Sequence, residues 1–148
     1  MSQYPSPADL LPHDHPMVLL DEVVDFDGVR AVAATTIREE SLFLEPEGVP
    51  ALVSIEYMAQ CVGVFAGLKC QSVGSPVQPG LLLGCRRMTL HRQWLAVGER
   101  VVQEATLVWG GDDALAVFET TAHVGTELVA TARLNVVMGE VWKLARTR

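Results

Sequence analysis

The sequence predicts an α+β domain in which an antiparallel sheet wraps one long apolar helix. Three observations carry this reading. One apolar run, residues 51–70, has helical spacing; segments on both sides are rich in Val, Leu, Thr and aromatic residues at strand length; and short turn signals separate neighbouring segments. A chain of 148 residues supports one hydrophobic core, so residues 1–148 read as a single domain.

The elements follow in order. Residues 1–16 contain Pro5, Pro7, Pro12 and Pro16, which break helix and sheet, so this segment is expected to be an irregular lead-in lying over the domain. Residues 17–26 and 29–37 read as strands joined at Asp27-Gly28, a dipeptide suited to a hairpin turn. Residues 38–50 read as a loop, interrupted by Pro46, Gly48 and Pro50. Pro50 stands where the first turn of a helix accepts proline, and Leu52, Ile55, Ala59, Val62 and Ala66 then recur at three- and four-residue spacing. Ala59, Gly63 and Gly67 fall four apart on one stripe, which lowers helix propensity but lets another backbone approach closely. Residues 81–95, 101–109, 114–123 and 128–138 read as strands, with turns at 96–98, 110–113 and 125–126.

Composition removes several function classes. Hydrophobic residues make up 49% and charged residues 20%, which argues against a disordered or fibrous chain. Eleven basic residues against eighteen acidic ones give a net charge of −7, interspersed along the chain, which disfavours nucleic acid and anionic membrane surfaces as partners. Cys61, Cys70 and Cys85 form no C-x-x-C pair, so neither a zinc ribbon nor a secreted disulfide framework is expected. The first residues lack a basic start followed by an apolar run, and the most apolar stretch, 51–68, carries Glu56 and Gln60; a cytoplasmic protein without membrane insertion is expected. No phosphate-binding glycine loop, metal-ligand cluster or nucleophilic serine elbow is present in the sequence.

Glu56 is the sharpest chemical signal, because a carboxylate one turn inside an apolar helix carries a desolvation penalty unless it is paired or used. Burial would raise its pKa and suit it to donating a proton. His13 and His15 flank Asp14 between Pro12 and Pro16, so two imidazoles are held near one carboxylate on a stiff backbone; an imidazole is the natural base for an α-proton. The helix-start amides around Gly48 to Leu52 stand at the positive end of the helix dipole, where an enolate oxygen would be stabilised. Arg86 and Arg87 are expected on opposite faces of a strand, as solvated charge or as a contact to a phosphate. His91, His123 and the cysteines read as structural.

Residues 11–28, LPHDHPMVLLDEVVDFDG, and 48–67, GVPALVSIEYMAQCVGVFAG, resemble the hotdog-fold β-hydroxyacyl-acyl carrier protein dehydratases of fatty-acid synthesis. With VQPGLLLGCRR at 77–87 and ARLNVV at 132–137, the chain is most similar to the dehydratase-like subunits of aryl polyene pigment synthesis. The resemblance implies a hotdog domain that pairs with a second one, as homodimer or heterodimer, and forms acyl tunnels at the interface. It also implies elimination of water from a β-hydroxyacyl thioester carried on the phosphopantetheine of an acyl carrier protein, without a further cofactor or metal. The helical acid carries over as Glu56, with Gln60 as its neighbour. The histidine of the family's His-Phe-Pro-Gly stretch does not: the matching residues 41–50 read SLFLEPEGVP. His13 is therefore the expected catalytic histidine, and Gly48, Pro50, Ala51, Gln60 and His15 are expected to bind substrate. Two other readings belong to the same fold: a thioesterase in which one acid activates water, and a non-catalytic subunit that shapes a partner's tunnel.

Overall fold

The computed structural model describes residues 3–77, 80–110 and 115–137. Among these, the chain forms α1 (Pro7–Leu10), β1 (Glu22–Phe26), β2 (Arg30–Thr36), β3 (Val49–Pro50), a 3-10 turn (Ala51–Val53), α2 (Ser54–Ser72), β4 (Leu81–Leu90), β5 (Trp94–Leu95), β6 (Arg100–Gly110), β7 (Leu115–Val124) and β8 (Glu127–Val137). Six strands make one antiparallel sheet in the order β1-β2-β6-β7-β8-β4, and β3 pairs with β5 separately. The expected α+β hotdog arrangement is borne out: α2 packs against β2, β6, β7 and β8, inside the sheet.

The hairpin at Asp27-Gly28 forms as its chemistry dictates. Asp27 Oδ1 accepts from the amides of Val29 (2.9 Å) and Arg30 (2.7 Å), while Gly28 takes φ +89°, a conformation that glycine adopts without a Cβ penalty. Those two amides hold the Asp27 carboxyl below the usual aspartate range. The long strands alternate as half-buried strands do: on β7, Ala116, Phe118, Thr120 and Ala122 are buried, whereas Leu115 and Glu119 are exposed. Phe65 of α2 meets Phe26 of β1 and Phe118 of β7 edge-on, at centroid distances of 5.5 and 5.0 Å, and ties the helix to an edge strand and an interior strand of the sheet. Cys61 sits between β2 and β6, wholly buried. Its thiol is pushed up to about 12 by burial, so it fills space and is not a nucleophile.

The structure departs from the sequence reading at five places. The lead-in is not wholly irregular: Pro7 occupies the first position of α1 and the Ser6 side chain caps it, accepting from Ala8 N–H at 3.4 Å. The first strand starts at Glu22, not 17, because residues 17–19 bond to the helix. The loop 38–50 ends in β3, which β5 recruits after a break in the expected strand 81–95. Register shifts on β4 at Leu82/Gly84 and Cys85/Arg87 break alternation, so Arg86 and Arg87 share the outer face of the sheet instead of lying on opposite faces. Finally, of the spaced set Leu52, Ile55, Ala59, Val62 and Ala66 only Val62 is buried, and Leu52 lies in the 3-10 turn before α2. The buried face carries Tyr57, Met58, Cys61, Val64, Phe65 and Leu68, and the helix is apolar nearly all round. The turn at 111–113, Ala114 and Met138 lie outside the described residues.

The small-residue stripe does admit a second backbone. A Cβ added to Gly67 would stand 2.5 Å from the Leu10 carbonyl oxygen, and one added to Gly63 would stand 2.6 Å from Leu11 Cδ2. Leu10 and Leu11, at 0% and 5% exposure, anchor the lead-in there. The segment carrying His13 thus starts from a fixed point on α2.

Candidate active site

Two anchors position the imidazole. After Leu10 and Leu11, the chain passes His13 and returns to the helix at Gln60, a residue only 1% exposed. The Gln60 amide donates from Nε2 to the Met17 carbonyl (2.7 Å) and accepts at Oε1 from Leu19 N–H (2.9 Å). Its second Nε2 hydrogen goes to Glu56 Oε1 at 3.0 Å, one turn away on the same face of α2. One buried amide therefore fixes both the strand entry and the acid.

Between these anchors His13 Nε2 stands 3.9 Å from the same Glu56 Oε1. That distance is ion-pair range, longer than a hydrogen bond, and leaves both groups free to address a third atom. The side chains are 33% and 36% exposed, so Glu56 is not the buried carboxylate that the sequence suggested; it is held by Gln60 and open on one side. His13 Nδ1 is buried without a hydrogen-bond partner among the described residues, so no second group fixes its tautomer.

Both side chains face a cavity of about 230 Å³. Pro12 and His13 form one wall, α2 supplies Glu56, Ala59, Gln60 and Gly63, and Leu82 and Val136 close the far side. The polar groups lie at the Glu56 turn; beyond it the helix presents Ala59, Gly63 and Ala66, whose small side chains leave room for an apolar chain. Sequence reasoning found Glu56, His13 and Gln60 but not the walls from β4 and β8, which join the cavity only through sheet pairing. The half-exposed small stripe was their one visible signal.

The remaining expected site residues lie elsewhere. His15 is exposed and does not line the cavity. Gly48 N–H donates to Glu45 O (3.0 Å), Ala51 N–H donates to Gln93 O (2.9 Å), and Pro50 has no N–H. In this chain those three residues are not available as oxyanion donors: the two N–H groups are spent on Glu45 in the loop and on Gln93 just before β5, and none of the three lines the cavity. Among the described residues, no three His, Cys, Asp or Glu side chains converge as metal ligands would.

With that geometry in place, the relatives fall into line. A family profile described as ApeP-like, ApeP dehydratase, matches residues 5–146. The chain belongs to the ApeP-like dehydratase family. It is 29% identical over 136 residues to the 3-hydroxyacyl-[acyl-carrier-protein] dehydratase FabZ of Streptococcus pneumoniae, covering 88% of this chain and 94% of that enzyme. The dehydratase heterocomplex ApeI:P from Xenorhabdus doucetiae contains a chain that superposes with a TM-score of 0.90, at 25% identity and 98% coverage of both. The E. coli PaaI protein, at 14% identity, TM-score 0.60, and coverage of 78% of this chain and 81% of that one, shares the fold. The member described here is thus a dehydratase or dehydratase subunit of hotdog fold, a hydro-lyase of hydroxyacyl thioesters.

Proposed function

We propose that the chain eliminates water from a β-hydroxyacyl group carried by an acyl carrier protein, in aryl polyene or fatty-acid synthesis in the cytoplasm, with His13 as base and Glu56 as acid. The observation that carries this reading is the 3.9 Å approach of His13 Nε2 to Glu56 Oε1 at the polar end of an apolar cavity. The acyl chain lies along Ala59, Gly63 and Ala66, with its thioester end at the Glu56 turn. His13 Nε2 takes the proton from the α-carbon, which the thioester carbonyl acidifies. The electron pair forms the α–β double bond, the β-carbon to oxygen bond breaks, and protonated Glu56 gives its proton to the departing hydroxyl, which leaves as water. The proton on His13 then passes to Glu56, its neighbour, and the pair is reset. No further cofactor enters this balance.

The second hotdog chain is part of the same proposal. β4 is a sheet edge, and it exposes Leu81, Leu82 and Leu90 at 52%, 46% and 41%, beside the half-open stripe of α2. An uncovered apolar edge of this length favours pairing. The likeness to a chain of a dehydratase heterocomplex supports a partner chain for this one.

The test is to incubate the purified chain with a β-hydroxyacyl-carrier protein, alone and with its hotdog partner, and follow the acyl mass. Loss of one water, abolished in Glu56→Gln, is expected. Release of the free acid would turn the assignment to a thioesterase, and turnover by the pair that survives Glu56→Gln would reduce this chain to a shaping subunit.

A further inference from the structure

The cavity is longer than the chemistry at Glu56 requires. From Glu56, α2 lines it through Ala59 and Gly63 as far as Ala66, a run of about 15 Å at a rise of 1.5 Å per residue. The half-buried positions Ala59, Gly63 and Ala66 carry nothing larger than a methyl group, so the helix side of the cavity stays open along the whole run. Lys69 and Cys70, the next positions on that side of α2, do not line it. The cavity therefore stops in the turn of Ala66.

That turn is held from both sides. Leu10, at 0% exposure, packs its backbone against Gly67, where an added Cβ would stand 2.5 Å from the Leu10 carbonyl oxygen. Phe65 is buried between the rings of Phe26 and Phe118. With its two neighbours fixed, Ala66 cannot move away from whatever reaches it. Helical side chains lean towards the N-terminal end of their helix, so a larger residue at 66 would project back over Val62 and Gly63, into the cavity. Elimination itself engages only the α- and β-carbons, beside Glu56 and His13. A short acyl group would leave the part of the cavity beyond Ala59 unfilled, whereas a long one would fill it.

We propose that Ala66 is the specificity-determining residue for acyl length: the site selects a long acyl chain whose far end stops at the Ala66 turn. The inference rests on the dehydratase reading for which end of the substrate lies at Glu56. Ala66 touches no reacting atom; it acts only by the space that its methyl group leaves.

The experiment compares wild type with Ala66→Leu and Ala66→Met, each with the hotdog partner added, on β-hydroxybutyryl and β-hydroxydodecanoyl groups presented on one carrier protein. Wild type should favour the dodecanoyl group, because the longer chain buries more apolar surface. Ala66→Leu should lower the dodecanoyl-to-butyryl ratio of kcat/KM by about tenfold, through KM on the long substrate. Ala66→Met, whose side chain can bend aside, should lower the ratio less. A general loss of stability or rate moves both substrates together and leaves the ratio unchanged; thermal melting checks folding, and if Ala66→Leu does not fold, the ratio in Ala66→Met decides. A wild-type ratio in the folded variants overturns the proposal, and so does a wild type that favours the butyryl group. If wild type dehydrates neither group, the dehydratase reading has failed. Length selection is then judged by calorimetric titration of dodecanoyl- and butyryl-pantetheine: tighter binding of the dodecanoyl thioester that is lost in Ala66→Leu supports it, and binding that is absent, independent of length or unchanged in the variant refutes it.

Discussion

The lead-in and the loop 38–50 are both proline-bearing segments leading towards α2, and they end very differently. The lead-in is clamped at Leu10 and Leu11 by the small stripe of α2 and at 17–19 by Gln60, and between the clamps it holds His13 over Glu56. The loop runs across the surface with Glu39, Glu40, Glu45 and Glu47 exposed, tied by the Arg38–Asp21 ion pair at its start and by β3 on β5 at its end. The position where the resemblance places a histidine thus lies in an acidic, solvent-facing segment without one. The lesson is that anchoring decides which imidazole can serve the helical acid; distance along the chain does not.

The sharpest way to break this contrast is at its shared carboxylate. Glu56→Gln should lower kcat by roughly 10²- to 10⁴-fold with an unchanged melting temperature, since the side chain is partly exposed and the replacement keeps its shape. His13→Ala should lower kcat about 10²-fold, while His15→Ala, on the exposed side of the same segment, should stay within about twofold. Steady-state kinetics on a carrier-linked β-hydroxyacyl substrate checks both; equal effects of the two histidines would dissolve the contrast within the lead-in.

The anchors come next. Gln60→Leu leaves Met17 O and Leu19 N–H without their partner and frees Glu56, so it should cost about 1–3 kcal/mol in urea unfolding and reduce kcat about tenfold. Gly67→Ala places a methyl against Leu10 O and should destabilise by about 1–3 kcal/mol, with a smaller fall in kcat as His13 shifts. A normal rate in a destabilised Gly67→Ala would show that the clamp holds the fold but not the imidazole.

The smallest effect belongs to the other side of the comparison. Arg92 joins Glu99 and Glu127 behind β5, and its hydrogen bond to Glu99, with help from Ala96 N–H, holds the Glu99 carboxyl below its ordinary value of 4.5. A depressed carboxylate contributes stability above that ordinary value and loses it as the pH falls through the lowered one. Glu99→Gln should therefore be less stable than wild type by about 1 kcal/mol at pH 7, and the gap should close below about pH 4.5, with kcat unchanged. Denaturation at pH 7 and pH 3 reads this. A gap of constant size would mean that packing, not charge, holds that corner.

The sequence made the architecture legible because each element carried a local signal: Asp27-Gly28 for the first hairpin, the apolar run for α2, β-branched segments for the later strands. Glu56, Gln60 and His13 were legible for a similar reason, as polar groups in apolar or stiffened surroundings. Their assembly was not. The helix is apolar on nearly every side, so periodicity marked out Leu52, Ile55, Ala59, Val62 and Ala66 without showing that Ala59, Val62 and Ala66 border a cavity. Gly48 and Ala51 promised free amides, but residues far along the chain or in the loop took them. Arg86 and Arg87 were assigned by simple alternation, and a bulge that no residue type announces put them on one face.

The central claim is that His13 and Glu56 act as one acid–base unit. The most direct test is a double-mutant kinetic cycle of His13→Ala and Glu56→Gln, measured as kcat on a β-hydroxyacyl-carrier protein with the hotdog partner present. The account predicts that the double variant is about as slow as the slower single variant, because either loss disables the shared step. Losses that multiply, or a His13→Ala enzyme that dehydrates at the wild-type rate, would contradict it.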